Sequence, residues 1–279
     1  MPATGFPSRH AAMPTLELST PRPGVTVITL NRPERLNAMN HELVRDLHGA
    51  LDDLRDDRST RVVVLTGAGR GFCSGLDLLG GFQVPGTEGL GRVQAGMASQ
   101  QFIASLVPKL RSLRQPVIAA VNGPAAGGGL ALALASDVRL AAPGAKFNVA
   151  FVRVGLSGCD IGVSWLLPRL IGASRAFELL LTGRIIDAAE ADRLGLVSRV
   201  VEDRPVLDAA LDVAGEILAN SPTGVWMTKE VMWSQLEVGS MQAGIDLENR
   251  TQIMTSMTED MTEAVRAFAE KRAPDFSDR

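Results

Sequence analysis

Two glycine-rich turns constrain this sequence most, because each directly follows a short apolar run. Residues 71–77 (GFCSGLD) follow the run Val62–Leu65, and residues 122–129 (NGPAAGGG) follow the run Val117–Val121. Such runs predict buried strands. The second turn leads into Leu130–Ala135, whose alanine and leucine content predicts a buried helix. A strand, a glycine turn and a helix N-terminus together direct backbone N–H groups at an anionic oxygen. We therefore hypothesise that the two turns meet and form an oxyanion hole.

The length and composition of the chain predict one large globular domain, alone or with a helical extension. Of its 279 residues 46% are hydrophobic, and 28 basic residues nearly balance 31 acidic ones. No basic stripe indicates binding to nucleic acid or to a membrane surface, and no apolar run is long enough to cross a bilayer. Residues 1–13 lack the apolar segment of a signal peptide. We expect them to be a disordered lead-in to a cytoplasmic protein.

Nucleophilic and metal-ligating side chains are few. The two cysteines, Cys73 and Cys159, fit a reducing compartment rather than a disulfide framework. Cys73 lies in a glycine turn, and we interpret it as a small buried residue rather than a reactive thiol. His10 lies in the lead-in, while His41 and His48 fall in the first predicted helix. The sequence offers few residues for a histidine-activated nucleophile or for a zinc site, so we predict no metal.

The order of predicted elements changes character after Asp160, from alternating strands and helices to helices alone. Predicted strands are 16–18, 25–30, 61–66, 117–121, 138–140 and 146–149, and predicted helices before that point are 40–56, 94–113 and 130–135. Later predicted helices are 161–171, 174–181, 188–194, 207–220, 225–236 and a last pair within 241–271. We expect residues 80–91 to form a mobile loop. This order predicts an α/β or α+β fold with one buried core.

An ordered set of motifs from about Leu16 to Phe276 resembles the enoyl-CoA hydratase/isomerase (crotonase) superfamily. Besides the glycine turns, the matching segments are 30–33 (LNRP), 37–40 (NAMN), 172–176 (GASRA), 181–184 (LTGR), 188–191 (AAEA), 195–197 (GLV) and 267–272 (AFAEKR). The resemblance implies an α/β (α+β) fold, a crotonase-like spiral of ββα units over 14–203 that carries the acyl-CoA site. It also implies a C-terminal helical trimerisation region over 204–279 and a homotrimer or homohexamer.

The resemblance further implies an acyl-CoA thioester as substrate, with no cofactor. By position, the N–H groups of Leu76 and Gly128 would form the oxyanion hole, where two donors stabilise the negative charge of an enolate. The other substrate-binding positions implied are Arg35, Ala38, Gly75, Asp77, Leu78, Leu79 and Gly127. Arg32 or Arg35 is expected to meet the phosphates of CoA. Leu79 stands where the family often has a basic residue, so one CoA contact of the family is unsupported here.

This chain departs from the family's hydratases at both catalytic glutamates. By position those glutamates would be Ala131 and Phe151, two residues that still belong to the expected substrate site. Neither side chain transfers a proton, so two-glutamate hydration is not supported. Asp160 is the remaining candidate, since an aspartate at about this place is acid/base or nucleophile in the family's dienoyl-CoA isomerases and a dehalogenase. It lies one residue further from the preceding glycine than in those relatives, and as a helix N-cap it would be purely structural.

Three functional interpretations follow. The favoured one is an acyl-CoA enzyme that forms an enolate and uses Asp160 in isomerase-like or lyase-like chemistry. The second is an acyl-CoA-binding homologue with little or no turnover, because both glutamates are absent. The third is a nucleotide-cofactor oxidoreductase, suggested by residues 66–71 (TGAGRG) after a strand. It fails in detail, because Phe72 or Cys73 occupies the position of the last glycine and the chain contains no tyrosine.

Overall fold

The computed structural model describes residues 13–80, 82 and 84–279. The expected disordered lead-in therefore lies outside the described residues, except for Met13. Gly81 and Gln83 of the expected mobile loop also lie outside them. The rest of that loop, up to Gly91, contains turns and no helix or strand.

The described residues contain nine strands and eleven α-helices. The strands are β1 (Leu16–Arg22), β2 (Val25–Leu30), β3 (Val62–Gly67), β4 (Val117–Val121), β5 (Ala125–Ala126), β6 (Val138–Ala141), β7 (Lys146–Asn148), β8 (Ile185–Asp187) and β9 (Arg199–Val200). The helices are α1 (His41–Asp56), α2 (Arg92–Ala104), α3 (Leu106–Arg111), α4 (Gly128–Ala135), α5 (Val163–Ile171), α6 (Ala173–Thr182), α7 (Ala188–Leu194), α8 (Val206–Leu218), α9 (Pro222–Gln235), α10 (Met241–Ser256) and α11 (Glu259–Glu270). Short 3-10 helices span Pro33–Arg35 and Phe151–Val154. No helix of these residues is both long and apolar enough to cross a membrane.

The main sheet has six strands in the order β1-β2-β3-β4-β6-β9, and β5, β7 and β8 form a second, smaller sheet. Within the main sheet only β1 and β2 pair antiparallel. Every residue of β3 and β4 is buried, which is why these strands are continuous apolar runs rather than alternating ones. The mixed architecture confirms the predicted fold class.

The two glycine turns leave the sheet from the same edge. Strands β3 and β4 are parallel neighbours, with Val63 opposite Val117 and Leu65 opposite Ala119. Parallel strands end at one edge, so the segments that follow β3 and β4 begin side by side. This register brings together two turns that are about fifty residues apart in sequence.

The core lies on both faces of this sheet. On one face, side chains such as Val63 and Leu65 pack with α1, α3, α4 and α5. On the other face, the alternate side chains Val62 and Val64 pack with α8. All eight residues of α4 are buried, in agreement with its uniformly apolar composition.

The structure corrects two predicted helices and adds three strands. The predicted helix 94–113 is two helices, since α2 ends at Ala104 and α3 begins at Leu106. Pro108 has no N–H to donate to the carbonyl of Ala104, so a continuous helix would lose a hydrogen bond there. The helix predicted from residue 161 begins at Val163. Strands β5, β8 and β9 were not predicted, because two or three residues carry too little pattern and their pairing depends on tertiary contacts.

Candidate active site

The two glycine turns lie in direct contact. The N–H of Cys73 donates to the carbonyl of Pro124 at 3.1 Å, and the N–H of Ala126 donates to the carbonyl of Cys73 at 2.9 Å. At the ends of the turns, Gly75 lies against Gly128. A Cβ added to Gly75 would be 2.8 Å from the carbonyl oxygen of Ala126 and 3.4 Å from the nitrogen of Gly128. Only glycine allows this approach, and its φ of +92° also favours glycine.

The N–H groups of Leu76 and Gly128 have no acceptor among the residues that the structure describes. Met39 donates to the carbonyl of Gly75 at 2.7 Å and accepts from the N–H of Asp77 at 3.0 Å. Because neighbouring amides of an extended chain alternate in direction, the amide of Leu76 points away from Met39. Gly128 is the first residue of α4, so its N–H has no partner within the helix. Both residues line the same pocket.

Each glycine of the triplet 127–129 is needed for a different structural reason. Gly127 is the N-cap of α4 with φ of +51°, and the ring of Phe151 lies beside it. A Cβ on Gly128 would be 2.8 Å from the sulfur of Met39, and a Cβ on Gly129 would be 2.1 Å from the carbonyl oxygen of Cys73. The triplet therefore lets α4 begin in contact with the first turn.

The pocket at this junction has a volume of about 120 Å³ and a mainly apolar wall. Its lining residues are Met39, Ser74, Gly75, Leu76, Leu78, Gln100, Ile103, Gly127, Gly128, Ala150, Phe151, Val154, Leu156, Asp160 and Ile161. Asp160 is the only ionisable side chain in this set. No group of three or more potential metal-ligating side chains occurs in the part of the chain that the structure describes. A single carboxylate and two unpaired N–H groups thus share one apolar pocket.

Asp160 is half-buried, and it does not act as a helix cap. The N-cap of α5 is Gly162, so the interpretation of Asp160 as an N-cap is wrong. The carbonyl of Asp160 accepts the N–H of Val163 at 2.8 Å, which turns the chain into α5. Its side-chain Oδ1 instead accepts the N–H of Ile161 at 2.7 Å and a hydrogen bond from Gln100 Nε2.

Gln100 is a pocket residue that the sequence does not predict. It lies on α2, whose side chains are mostly exposed, and sixty residues separate it from Asp160. Nothing in the local sequence distinguishes it from Gln101, which does not line the pocket. Only its hydrogen bond to Asp160 and its place in the pocket lining identify it.

The two positions of the absent glutamates differ in the structure. Phe151 lines the pocket and is largely buried. Ala131 is fully buried inside α4 and is not a lining residue. Neither residue brings a proton-transferring group to the pocket.

The arginines near the first turn have different environments. Arg32 forms a 3.0 Å ion pair with Asp77 and donates to the carbonyl of Ala38, so its guanidinium is occupied within the protein. The N–H of Gly80 and the guanidinium of Arg32 hold the pKa of the Asp77 carboxyl below its usual range. This supports a turn role for Asp77. Arg35 is exposed on its 3-10 helix and has no ion-pair partner among the described residues.

The remaining candidates lie outside the pocket, with one exception. Leu78 lines the pocket and is 62% exposed, whereas Leu79 is 86% exposed and does not line it. Cys73 is fully buried, and burial raises the pKa of its thiol to about 12. The rings of His41 and His48 lie against the ring of Phe102, and neither histidine is a lining residue. Thiolate and histidine chemistry in this pocket therefore have no support.

Comparisons with known proteins agree on one family. The family model described as enoyl-CoA hydratase/isomerase matches residues 21–279. A probable enoyl-CoA hydratase of Mycobacterium tuberculosis is 48% identical over 259 residues, which cover 92% of this chain and 91% of that protein. The 1,2-epoxyphenylacetyl-CoA isomerase of Escherichia coli is 39% identical over 261 residues, 93% of this chain and 97% of that protein.

Solved structures of enoyl-CoA hydratases and isomerases superimpose on the structure of this chain. A probable enoyl-CoA hydratase/isomerase from Mycobacterium abscessus superimposes with a TM-score of 0.89 at 40% identity, covering 95% of this chain and 99% of that one. A monofunctional enoyl-CoA isomerase from M. smegmatis superimposes with a TM-score of 0.71 at 45% identity, covering 83% and 98%.

Proposed function

Because the chain belongs to the enoyl-CoA hydratase/isomerase family, we propose that it isomerises an unsaturated acyl-CoA through an enolate. The CoA thioester is the substrate, and no cofactor takes part. The N–H groups of Leu76 and Gly128 hold the thioester oxygen, and Asp160 transfers the proton. The observation that carries the proposal is the presence of two unpaired N–H groups and one carboxylate in a single apolar pocket.

One carboxylate suffices for this reaction. Asp160 takes a proton from the carbon between the thioester carbonyl and a β,γ double bond. The electron pair of the broken C–H bond moves toward the carbonyl, and the negative oxygen accepts hydrogen bonds from Leu76 and Gly128. The same proton then returns from Asp160 to the γ-carbon, which leaves an α,β double bond. Atoms and charge balance without a water molecule.

Hydration requires groups that this pocket lacks. Adding water across a double bond needs a residue that holds and deprotonates the water and a source for the second proton. The corresponding positions are Ala131 and Phe151. Ala131 is buried away from the pocket and Phe151 makes its wall apolar, which favours proton transfer within the substrate over attack by water.

The CoA end of the substrate extends along the first turn. Leu78 and Leu79 flank the pantetheine chain with their exposed side chains. Arg35, exposed and without an internal partner, meets the phosphates, since a guanidinium binds phosphate oxygens in pairs. Arg32 instead holds Asp77 and Ala38 and so shapes the turn.

A second candidate function is acyl-CoA binding without turnover. It is favoured by the same absence of both carboxylates, at Ala131 and Phe151. In that case Asp160 would be a structural residue that orders the 150–161 segment.

Assays with the wild type and the Asp160→Asn variant separate these functions. The panel contains a β,γ-unsaturated, an α,β-unsaturated and a phenylacetyl thioester of CoA, the last because of the Escherichia coli relative. We expect the wild type to move the double bond of the first thioester. The variant should bind it with similar affinity but convert it at least roughly 100-fold more slowly.

Other results count against the proposal in distinct ways. Tight thioester binding with no turnover in either protein supports the binding function instead. Efficient hydration by the wild type contradicts the assignment as an isomerase.

A further inference from the structure

Helix α2 contributes only two residues to the pocket lining, Gln100 and Ile103. Ile103 is buried and extends the apolar wall. Gln100 is exposed at the rim, and its side-chain amide reaches the carboxylate of Asp160. The role of Gln100 is not explained by packing, because an exposed polar side chain contributes little to a core.

The two oxygens of Asp160 have different environments. Oδ1 accepts hydrogen bonds from the N–H of Ile161 and from Gln100 Nε2. Oδ2 has no hydrogen-bond partner among the described residues. A carboxylate held at one oxygen by two donors cannot rotate freely, so Oδ2 is the oxygen left to take a proton.

The backbone next to Asp160 is held in an unusual conformation. Ile161 has a φ of +36°, which is rare for a β-branched residue, and its side chain is buried. The Cδ1 of Ile161 lies 3.3 Å from a Cβ built on Gly128. The residue that supplies the backbone donor to Oδ1 therefore packs beside Gly128. Gln100 supplies the second donor from α2.

We propose that Gln100 is a positioning residue that holds Oδ1 of Asp160, so that Oδ2 alone faces the α-carbon of the substrate. This inference rests on the acid–base role proposed for Asp160. An amide suits the task because it donates a hydrogen bond and carries no charge. An arginine or lysine there would pair with the carboxylate and weaken it as a base.

The test uses exchange of the α-hydrogens of butyryl-CoA in D₂O, which needs only enolate formation. Gln100→Met keeps the length of the side chain and removes the donor. Gln101→Met is the matched control, since it makes the same change one residue further on α2 and outside the pocket. Each is made in the wild type and in Asp160→Asn.

We expect Gln100→Met to lower kcat for exchange roughly tenfold to 100-fold, as for the loss of a hydrogen bond to a charged group, with KM nearly unchanged. Gln101→Met should exchange like the wild type. In the Asp160→Asn background, Gln100→Met should have no further effect, because a residue that acts through Asp160 needs its carboxylate. The midpoint of thermal unfolding should match that of the wild type in all variants.

Three results would overturn the inference. If Asp160→Asn abolishes exchange but Gln100→Met does not lower it, Gln100 has no positioning role and the proposed function stands. An equal loss from Gln100→Met in both backgrounds shows that Gln100 acts independently of Asp160. If Asp160→Asn exchanges like the wild type, or the wild type does not exchange at all, the proposed function fails and this inference fails with it.

Discussion

At the scale of single residues, the glycines where the turns meet have separable roles. Gly128 supplies a free N–H to the pocket, whereas Gly129 allows α4 to touch the first turn. A substitution at Gly128 should therefore alter the proposed chemistry, and one at Gly129 should alter folding. Both roles come from the backbone, and matched substitutions test them one at a time.

Gly128→Pro removes the proposed oxyanion donor, and Gly128→Ala retains it. Both add a Cβ at 2.8 Å from the sulfur of the buried Met39, so this contact is common to the two variants. Proline is tolerated at the first position of a helix such as α4. We expect kcat/KM of the proline variant to be roughly 100-fold to 1000-fold below that of the alanine variant. Steady-state isomerase assays measure this, and equal rates in two folded variants would contradict the role of the Gly128 N–H.

Gly129→Ala should destabilise the fold, because its Cβ would lie 2.1 Å from the carbonyl oxygen of Cys73. The clash is with a backbone oxygen, which no side-chain rotation can relieve, so we expect a loss of about 3 kcal/mol or more in the free energy of unfolding. Gly144→Ala is the control, since a Cβ there has no neighbour within 4 Å. Urea denaturation measures the free energy of unfolding of both variants. Similar midpoints would contradict the prediction, because they would show that the two glycine turns move apart at little cost in stability.

At the scale of elements, α2 is a largely exposed part of the pocket wall. Ile103 is its only buried residue, and His48 of α1 contacts the C-terminal end of α2. Since Lys109 approaches Nδ1 of His48 at 3.3 Å as a donor, the ring hydrogen is on Nε2, which donates to the carbonyl of Phe102 at 2.9 Å. The carbonyl of Phe102, two residues after Gln100 on α2, is therefore hydrogen-bonded to a neutral histidine of α1.

This arrangement predicts a pH dependence of stability. Burial, opposed by the carbonyl of Phe102 and aided by Lys109, holds the pKa of His48 below its ordinary value of 6.5. The unfolded chain then binds more protons than the folded one, so the free energy of unfolding falls as the pH drops below about 6.5. It levels off once the pH is below the folded pKa. His48→Gln should remove this part of the dependence.

Urea denaturation of the wild type and His48→Gln between pH 7.5 and roughly pH 5 isolates the contribution, because all other groups are common to both. A constant difference in the free energy of unfolding across that range would contradict the interpretation.

At the scale of the whole molecule, the C-terminal helices expose large apolar side chains. Phe268 of α11 is 87% exposed, and Met257, between α10 and α11, is 80% exposed. Ile253, Met254 and Val265 of the same two helices are also exposed, and apolar surface concentrated in one region marks an interaction site. We propose that it mediates the homotrimer or homohexamer that the family resemblance implies.

Sedimentation analysis tests this assembly. We expect Phe268→Glu to shift the protein toward monomers, since a charge would be buried in the contact. Val93→Glu, at a residue of α2 that is 74% exposed, makes the same change away from the C-terminal helices and should leave the assembly intact. A monomeric wild type, or an unchanged assembly in Phe268→Glu, would contradict the proposal.

The sequence by itself determined the fold class, most helices and strands and both glycine turns. These features are local, because a buried strand, a helix and a close backbone approach each restrict the residue types at their own positions. It also identified Asp160 as the remaining carboxylate, by excluding Ala131 and Phe151.

Only the tertiary structure decided which side chains meet in the pocket. In the structure Asp160 is not the N-cap of α5, Arg32 forms an ion pair with Asp77, and Gln100 donates to Oδ1 of Asp160 across sixty residues of chain. The predicted helix 94–113 is two helices that meet at Ser105. Contacts of this kind follow from the register of parallel strands and the packing of whole helices. A glutamine on an exposed helix face leaves no local pattern from which its partner can be found.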